Sequence, residues 1–116
     1  MSIEETESLD AIGIEEGSGY VTLTIADHLT WDDVGVHIGL LADKLESYLQ
    51  FVEGGQLLLT EPRAAGRQVV VQVYARYPLP GAATSFFREV ETTLMRNGIR
   101  FRWLLFGGPD PGIDPT

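Results

Sequence analysis

One long amphipathic segment constrains this chain more than any other feature. Between residues 34 and 52, apolar side chains recur every three or four positions over about five turns, the pattern of a helix with one buried face. These positions are Val34, Ile38, Leu41, Leu45, Tyr48, Leu49 and Val52. Thr30 is a candidate N-cap with Asp33 three residues later, and Gly54-Gly55 ends the helix. Such a helix needs a sheet or a second helix to cover its apolar face.

Strand patterns lie on both sides of this helix. Alternating residues predict a hairpin over 11–27, and the strongest strand pattern covers 68–77, which is rich in β-branched and aromatic residues. A second amphipathic helix is predicted over 82–97, followed by a last strand over 100–106. The short apolar run at 57–59 fits either a strand or a continuation of the helix end, and we favour a strand.

These elements predict an α+β fold, a two-layer sandwich. Their order is β-β-α-β-β-α-β, which is the ferredoxin-like β-α-β-β-α-β plan with an extra N-terminal hairpin strand. This plan depends on the strand at Leu57–Leu59, and without that strand an α+β two-layer sandwich with fewer strands remains. We expect a disordered acidic leader over 1–9, a single domain over 10–107 and a flexible tail over 108–116.

The charge of the chain restricts its partners. The 116 residues include 17 acidic and 8 basic side chains, for a net charge of −9, and no cysteine. The first 53 residues carry twelve acidic groups and one lysine, whereas all seven arginines lie between residues 54 and 108. This balance disfavours nucleic acid and anionic membranes, and the missing cysteines exclude thiol chemistry. Without a secretory signal or an apolar run of membrane-spanning length, we expect a cytoplasmic protein.

The candidates for catalysis or metal binding are few. Asp27, His28 and His37 lie near the start of the first helix, and imidazole with carboxylates can bind a metal or transfer protons. Asp33 and His37 have the i, i+4 spacing of two helical metal ligands, but this pair is only half of a site. We therefore predict no catalytic residues, no metal and no cofactor, and keep a small-ligand or metal-dependent enzyme as the alternative.

The sheet face away from the helices is the most informative predicted surface. It displays a set of aromatic and arginine side chains, which we call the Tyr–Arg surface: Tyr20, Tyr74, Arg76, Arg100, Arg102 and Phe106. Tyr and Arg are enriched where proteins bind partners. We predict a non-enzymatic interaction module that forms a homodimer or binds a partner protein, as an immunity or accessory protein would. Two other interpretations remain. The leader or the hairpin arm covers this face, or the face binds RNA, which the negative net charge of the chain disfavours.

Two stretches also suggest a family. One is Asp27-His-Leu-x-Trp31, and the other is Tyr48-Leu-x-Phe-Val-Glu-x-Gly-Gln56. With Gly66-Arg-Gln-Val-Val-Val, Tyr77-Pro and Gly98-Ile-Arg-Phe, they make the chain resemble a family of small bacterial proteins that is known only as a domain of unknown function. The resemblance covers residues 10 to 106 and implies a stand-alone bacterial cytoplasmic protein. It implies no activity, cofactor or catalytic residue.

Overall fold

The computed structural model describes residues 11–105, which form four strands and three helices. The strands are β1 (Ala11–Ile14), β2 (Val21–Asp27), β3 (Val69–Ala75) and β4 (Ile99–Leu105). The helices are α1 (Val34–Glu53), α2 (Gln56–Thr60) and α3 (Thr84–Arg96), with short 3₁₀ turns at Pro62–Ala64 and Gly81–Ala83. The predicted leader and tail lie outside the described residues.

The sheet is mixed and has the order β1-β2-β3-β4. β1 and β2 are the antiparallel arms of the predicted hairpin. β2 pairs with β3 in parallel, and β3 pairs with β4 in parallel, so each of these connections crosses over through a helix. The chain is therefore α+β, with its helices packed on the sheet as in a two-layer sandwich.

The core lies between the helices and one face of the sheet. The inward residues of β2 are fully buried, as the alternation predicts, and they belong to one cluster with β3, α1 and α3. Representative members are Leu23, Val71, Leu41 and Phe87. α1 also buries two polar side chains in its inner face, Lys44 and His37. The Lys44 ammonium lies 5.6 Å from the centre of the Tyr48 ring.

The prediction of a strand at Leu57–Leu59 is wrong. These residues lie in α2, where Leu57 is buried while Leu58 and Leu59 are exposed. Gly55, at φ 87°, turns the chain at the end of α1, and a single helical turn then buries one leucine of the three. The predicted hairpin between such a strand and β3 would also need an open side of β3, but β2 and β4 occupy both sides.

The ferredoxin-like order is not confirmed for the same reason. A split βαβ plan inserts another strand between the two strands of each βαβ unit. Here the strands of each unit are direct neighbours, β2 with β3 and β3 with β4. The extra hairpin strand, β1, takes the free side of β2.

The N-cap prediction is also wrong by about one turn. α1 begins at Val34 with Asp33 as its cap, whose Oδ1 accepts the Val36 N–H at 3.1 Å. The Thr30 hydroxyl instead donates to Asp32 Oδ2. Because the helix starts later, Trp31 and the Thr30 carbonyl lie outside it and both contact His37. Within residues 11–105, no helix combines the length and apolar character needed to cross a membrane.

Candidate functional site

The structure joins two of the predicted catalytic candidates in one buried contact. Asp27 is the last residue of β2, and His37 lies in the first turns of α1. His37 Nε2 lies 2.6 Å from Asp27 Oδ2, and each residue is only 2% exposed. The second carboxylate oxygen of Asp27 accepts the Leu29 N–H at 3.2 Å. The pair therefore ties the end of the first buried strand to the start of the long helix.

The hydrogen bonds of His37 assign a hydrogen to its Nδ1 atom. His37 Nδ1 lies 2.9 Å from the Thr30 carbonyl oxygen, which can only accept, so Nδ1 carries a hydrogen. The short contact on the other side then requires one proton between Nε2 and Oδ2, held by either group. Trp31 stacks on the imidazole at a centroid distance of 3.7 Å. Both ring nitrogens are thus engaged within the protein, as in a structural histidine.

The remaining candidates stand apart from this pair. His28, Asp32 and Asp33 are exposed. The Asp33 carboxylate caps α1, so the half metal site suggested by the spacing of Asp33 and His37 has its two side chains in separate contacts. Within the described part of the chain, no group of three or more His, Cys, Asp or Glu residues is arranged to hold a metal ion.

The Tyr–Arg surface contains an exposed cation–π contact. The Arg100 guanidinium lies 5.3 Å from the centre of the Tyr20 ring. Arg100 is exposed and Tyr20 is half-buried. Arg100 stands opposite Val70 in the β3–β4 register, and Val70 is fully buried even though its side of the sheet faces away from the helices. This part of the open face is therefore partly covered by the protein's own side chains.

A polar network continues across the same face. Arg102 donates to both carboxylate oxygens of Glu15, at 3.0 and 3.1 Å, and to Gln72 Oε1 at 3.3 Å. Gln72 donates in turn to Thr24 Oγ1 at 3.0 Å. Glu15 lies in the turn between β1 and β2, so the network draws that turn over the sheet toward β4. At Arg102 the open face of the sheet is therefore partly covered by the turn between β1 and β2.

The other predicted members of the Tyr–Arg surface differ in exposure and in position along the strands. Arg76 is exposed just beyond the end of β3, where its backbone N–H donates to the Asp27 carbonyl at 2.8 Å. Tyr74 is half-buried within β3, opposite Leu104 in register. Phe106 lies outside the described residues. Within the described part, Arg100 and Arg76 are therefore the most accessible arginines of the Tyr–Arg surface.

The Glu15–Arg102 pair should make the free energy of unfolding depend on pH below pH 4.5. The hydrogen bonds from Arg102, followed by that from the Ser18 hydroxyl, lower the pKa of Glu15 from 4.5 to about 2. Because the folded pKa is depressed, the pair stabilises the fold above pH 4.5, and this stabilisation is lost as the pH falls toward about 2. The effect should be small, since the pair is partly exposed.

Urea unfolding of the protein and of Glu15→Gln from pH 6 to pH 2 measures this effect. The difference in the free energy of unfolding should shrink with falling pH and vanish near the folded pKa. Arg102→Gln removes the same pair from the other side and should give the same profile. A difference that is constant with pH would contradict the prediction.

A groove between α1 and α3 is a feature that the sequence analysis missed. It has a volume of about 400 Å³ and opens to solvent on the helix side of the molecule. Nine residues line it: Ala42, Leu45, Glu46, Leu49, Phe86, Glu89, Val90, Thr93 and Leu94. Leu45, Val90 and Leu94 were recognisable as inward positions of their helices. The missing information was that the two helices stand far enough apart to leave their facing sides uncovered.

Together these features describe a small α+β protein with a buried Asp–His pair, a Tyr–Arg surface on the sheet and an apolar groove between its helices. The chain belongs to the family of unknown function DUF6572, whose model matches residues 1–107. This membership confirms the resemblance to a domain of unknown function. Neither the curated proteins nor the solved structures give a significant match.

Proposed function

We propose that this protein is a non-enzymatic interaction module that acts in the bacterial cytoplasm. Its Tyr–Arg surface would bind a second copy of the chain, as a dimer, or a partner protein. The observation that carries the proposal is the exposed Arg100 guanidinium held over the Tyr20 ring at 5.3 Å. Arginine and tyrosine are the side chains that most often anchor protein interfaces.

The network beside Arg100 supports the same proposal. Arg102, on the same strand, is held by Glu15 and Gln72, so its side chain has lost much of its freedom before any partner arrives. Such preorganisation lowers the entropic cost of binding. Arg102 is then a positioning residue, whereas Arg100 and Arg76 remain exposed for contact.

The distribution of charge favours a protein partner with carboxylates. All seven arginines follow residue 54, and the acidic residues are concentrated before it. A second copy could therefore place acidic groups of one protomer against arginines of the other. Such pairing affects the rate of association and the register more than the affinity, and salt weakens it. An accessory or immunity-type role, in which the protein covers a partner's surface, is compatible with this chemistry.

The enzyme alternative would use Asp27, His28 and His37. It requires the His37 ring to exchange its bonds to Asp27 and Thr30 for bonds to a substrate or metal. The contacts of the folded chain give no independent support for this exchange, so the interaction module remains the preferred proposal. Thermal shift across divalent ions, with elemental analysis of the purified protein, tests the metal version directly.

Arg100→Glu should abolish association through the Tyr–Arg surface without unfolding the protein. The change reverses an exposed charge that contacts Tyr20 and leaves the Glu15–Arg102 pair in place. Light scattering at two concentrations and two salt levels measures self-association, and affinity capture compares the partners retained by each variant. Arg88→Glu is the matched control, because it makes the same charge change at an exposed position on α3. If Arg100→Glu leaves both oligomeric mass and captured partners unchanged, the proposed surface is wrong.

A further inference from the structure

The groove between α1 and α3 has the walls of a helix-binding site. On α1 its lining residues follow the spacing of one helix face, from Ala42 through Leu45 and Glu46 to Leu49. The lining residues of α3 repeat this spacing, from Phe86 to Leu94. Each wall is about two helical turns long, or roughly 12 Å at 1.5 Å per residue. The groove is therefore an elongated trough.

The chemistry of the trough is apolar at its floor and acidic at its rim. Leu45 and Leu94 are nearly buried at the base, whereas Glu46 and Glu89 are exposed on opposite walls. The exposed charges of α1 are all acidic, because its single basic residue, Lys44, is buried. A ligand in the trough thus meets a hydrophobic floor between two carboxylates. Arg88 and Arg96 lie beside Glu89 in an adjoining depression and do not line the trough itself.

We infer that the trough binds an amphipathic helix of a partner protein, with leucine-like side chains on one face and lysine or arginine on both flanks. Apolar side chains at i, i+3, i+4 and i+7 match a trough two turns long. The basic flanks would lie beside Glu46 and Glu89. The volume of about 400 Å³ has room for several large apolar side chains.

The terminal segments of this chain do not supply the basic flanks. Residues 1–10 and 106–116 contain no Lys, Arg or His. Residues 1–10 carry four acidic groups, which the carboxylates of the rim would repel. Charge therefore favours a separate basic partner. This site is on the opposite side of the sheet from the Tyr–Arg surface, so its occupancy does not depend on the function proposed for that surface.

A designed peptide tests the inference on the full chain. The probe is a fluorescent fifteen-residue peptide of leucine and lysine, with leucines at i, i+3, i+4, i+7 and i+11 and lysines elsewhere. Its controls are a scrambled peptide of the same composition and a peptide with glutamate in place of lysine. Fluorescence polarisation at physiological salt should show binding of the first peptide, at least about tenfold weaker binding of the scrambled one, and no binding of the acidic one.

Three variants separate the floor of the trough from its rim. Ala42→Trp fills the trough from an exposed helical position and should weaken binding of the basic peptide at least about tenfold. The double variant Glu46→Lys/Glu89→Lys should no longer bind the basic peptide and should bind the acidic peptide instead. Glu53→Lys/Glu91→Lys makes the same charge change on the same two helices away from the trough and should alter affinity less than about threefold. Circular dichroism checks that each variant is folded.

Several results would overturn the inference. Equal binding of the basic and scrambled peptides would mean that only the net charge attracts them. Binding that survives both Ala42→Trp and the Glu46/Glu89 reversal would place the peptide elsewhere. A dimer that Ala42→Trp dissociates would identify a second copy as the occupant. Absence of peptide binding would show that the trough does not accept a basic helix. The variant Arg100→Glu is the control for the Tyr–Arg surface. It should bind the peptide with the affinity of the unchanged protein, whether or not the Tyr–Arg surface functions.

Discussion

Replacing His37 with leucine should lower the free energy of unfolding by about 3–5 kcal/mol, because it leaves the other member of a buried, hydrogen-bonded Asp–His pair without its partner. The substitution keeps an apolar side chain beneath Trp31 but leaves Asp27 Oδ2 buried without its 2.6 Å contact. It also removes the donor to the Thr30 carbonyl. Chemical denaturation monitored by tryptophan fluorescence and by circular dichroism measures the loss.

Asp27→Asn shows whether the hydrogen bonds of this pair or its ionic character stabilise the fold. Its amide oxygen can still accept the Leu29 N–H, and its amide nitrogen can donate to Nε2 of a neutral His37 whose Nδ1 remains bonded to Thr30. We expect a loss below about 1 kcal/mol, because every polar atom keeps a partner. His28→Leu, at the exposed histidine, should change stability by less than about 0.5 kcal/mol. If Asp27→Asn is as harmful as His37→Leu, the ionic character of the pair, not its hydrogen bonds, stabilises the fold.

Phe87→Ala should lower the free energy of unfolding by a similar amount, about 3–5 kcal/mol. Phe87 is buried on α3, and its ring meets those of Phe101 and Trp103 on β4 at centroid distances of 5.6 and 6.1 Å. These edge-to-face contacts attach α3 to the edge of the sheet. Truncation leaves a cavity that a rigid sheet cannot close and removes favourable aromatic contacts as well.

Met95→Ala is the control on the same helix. Met95 is 64% exposed, so its truncation should change stability by less than about 0.5 kcal/mol. Thermal and urea unfolding measure the free energy of unfolding of Phe87→Ala and Met95→Ala. A loss below about 1 kcal/mol for Phe87→Ala would mean that α3 is held to the sheet by contacts other than the aromatic cluster. Such a result would also mean that the aromatic cluster does not hold α3 in place as a wall of the trough.

The Asp27–His37 pair and the aromatic cluster have related consequences for the binding surfaces. The pair fixes the start of α1 to β2, and the cluster fixes α3 to β4. The two helices are thus positioned by the sheet, with a trough left between them. If the trough binds a helix as proposed, we expect its walls to move little on binding, which is the usual behaviour of preorganised interfaces.

The main elements were predictable because their signals are periodic. β2, β3 and β4 appeared within one or two residues of the predicted strands. The alternation of the hairpin puts Val21, Leu23 and Ile25 on one face, and all three are buried in the core. Both long helices were predicted from their apolar spacing. The run at Leu57–Leu59 failed because three apolar residues carry no period, and a helical turn and a strand can both bury one of them.

The candidate surfaces were predictable only in part. Strand alternation identified Tyr20, Arg100 and Arg102 as members of one face, but it did not show that Glu15 crosses that face to bind Arg102. Those two residues are 87 positions apart in the chain. Likewise, the proximity of Asp27 and His37 in sequence suggested chemistry, whereas the structure engages both nitrogens of the ring.

By itself the sequence determined the two long helices, the strands β2, β3 and β4, and which faces of these elements are apolar. These are local properties, since the 3.6-residue and two-residue periods of the backbone place each side chain relative to its neighbours. Only the tertiary structure decided that β3 lies between β2 and β4, that Asp27 meets His37, and that α1 and α3 stand apart around an acidic-rimmed trough. Each of these contacts depends on how distant segments approach one another, and no pattern within a single segment specifies that approach.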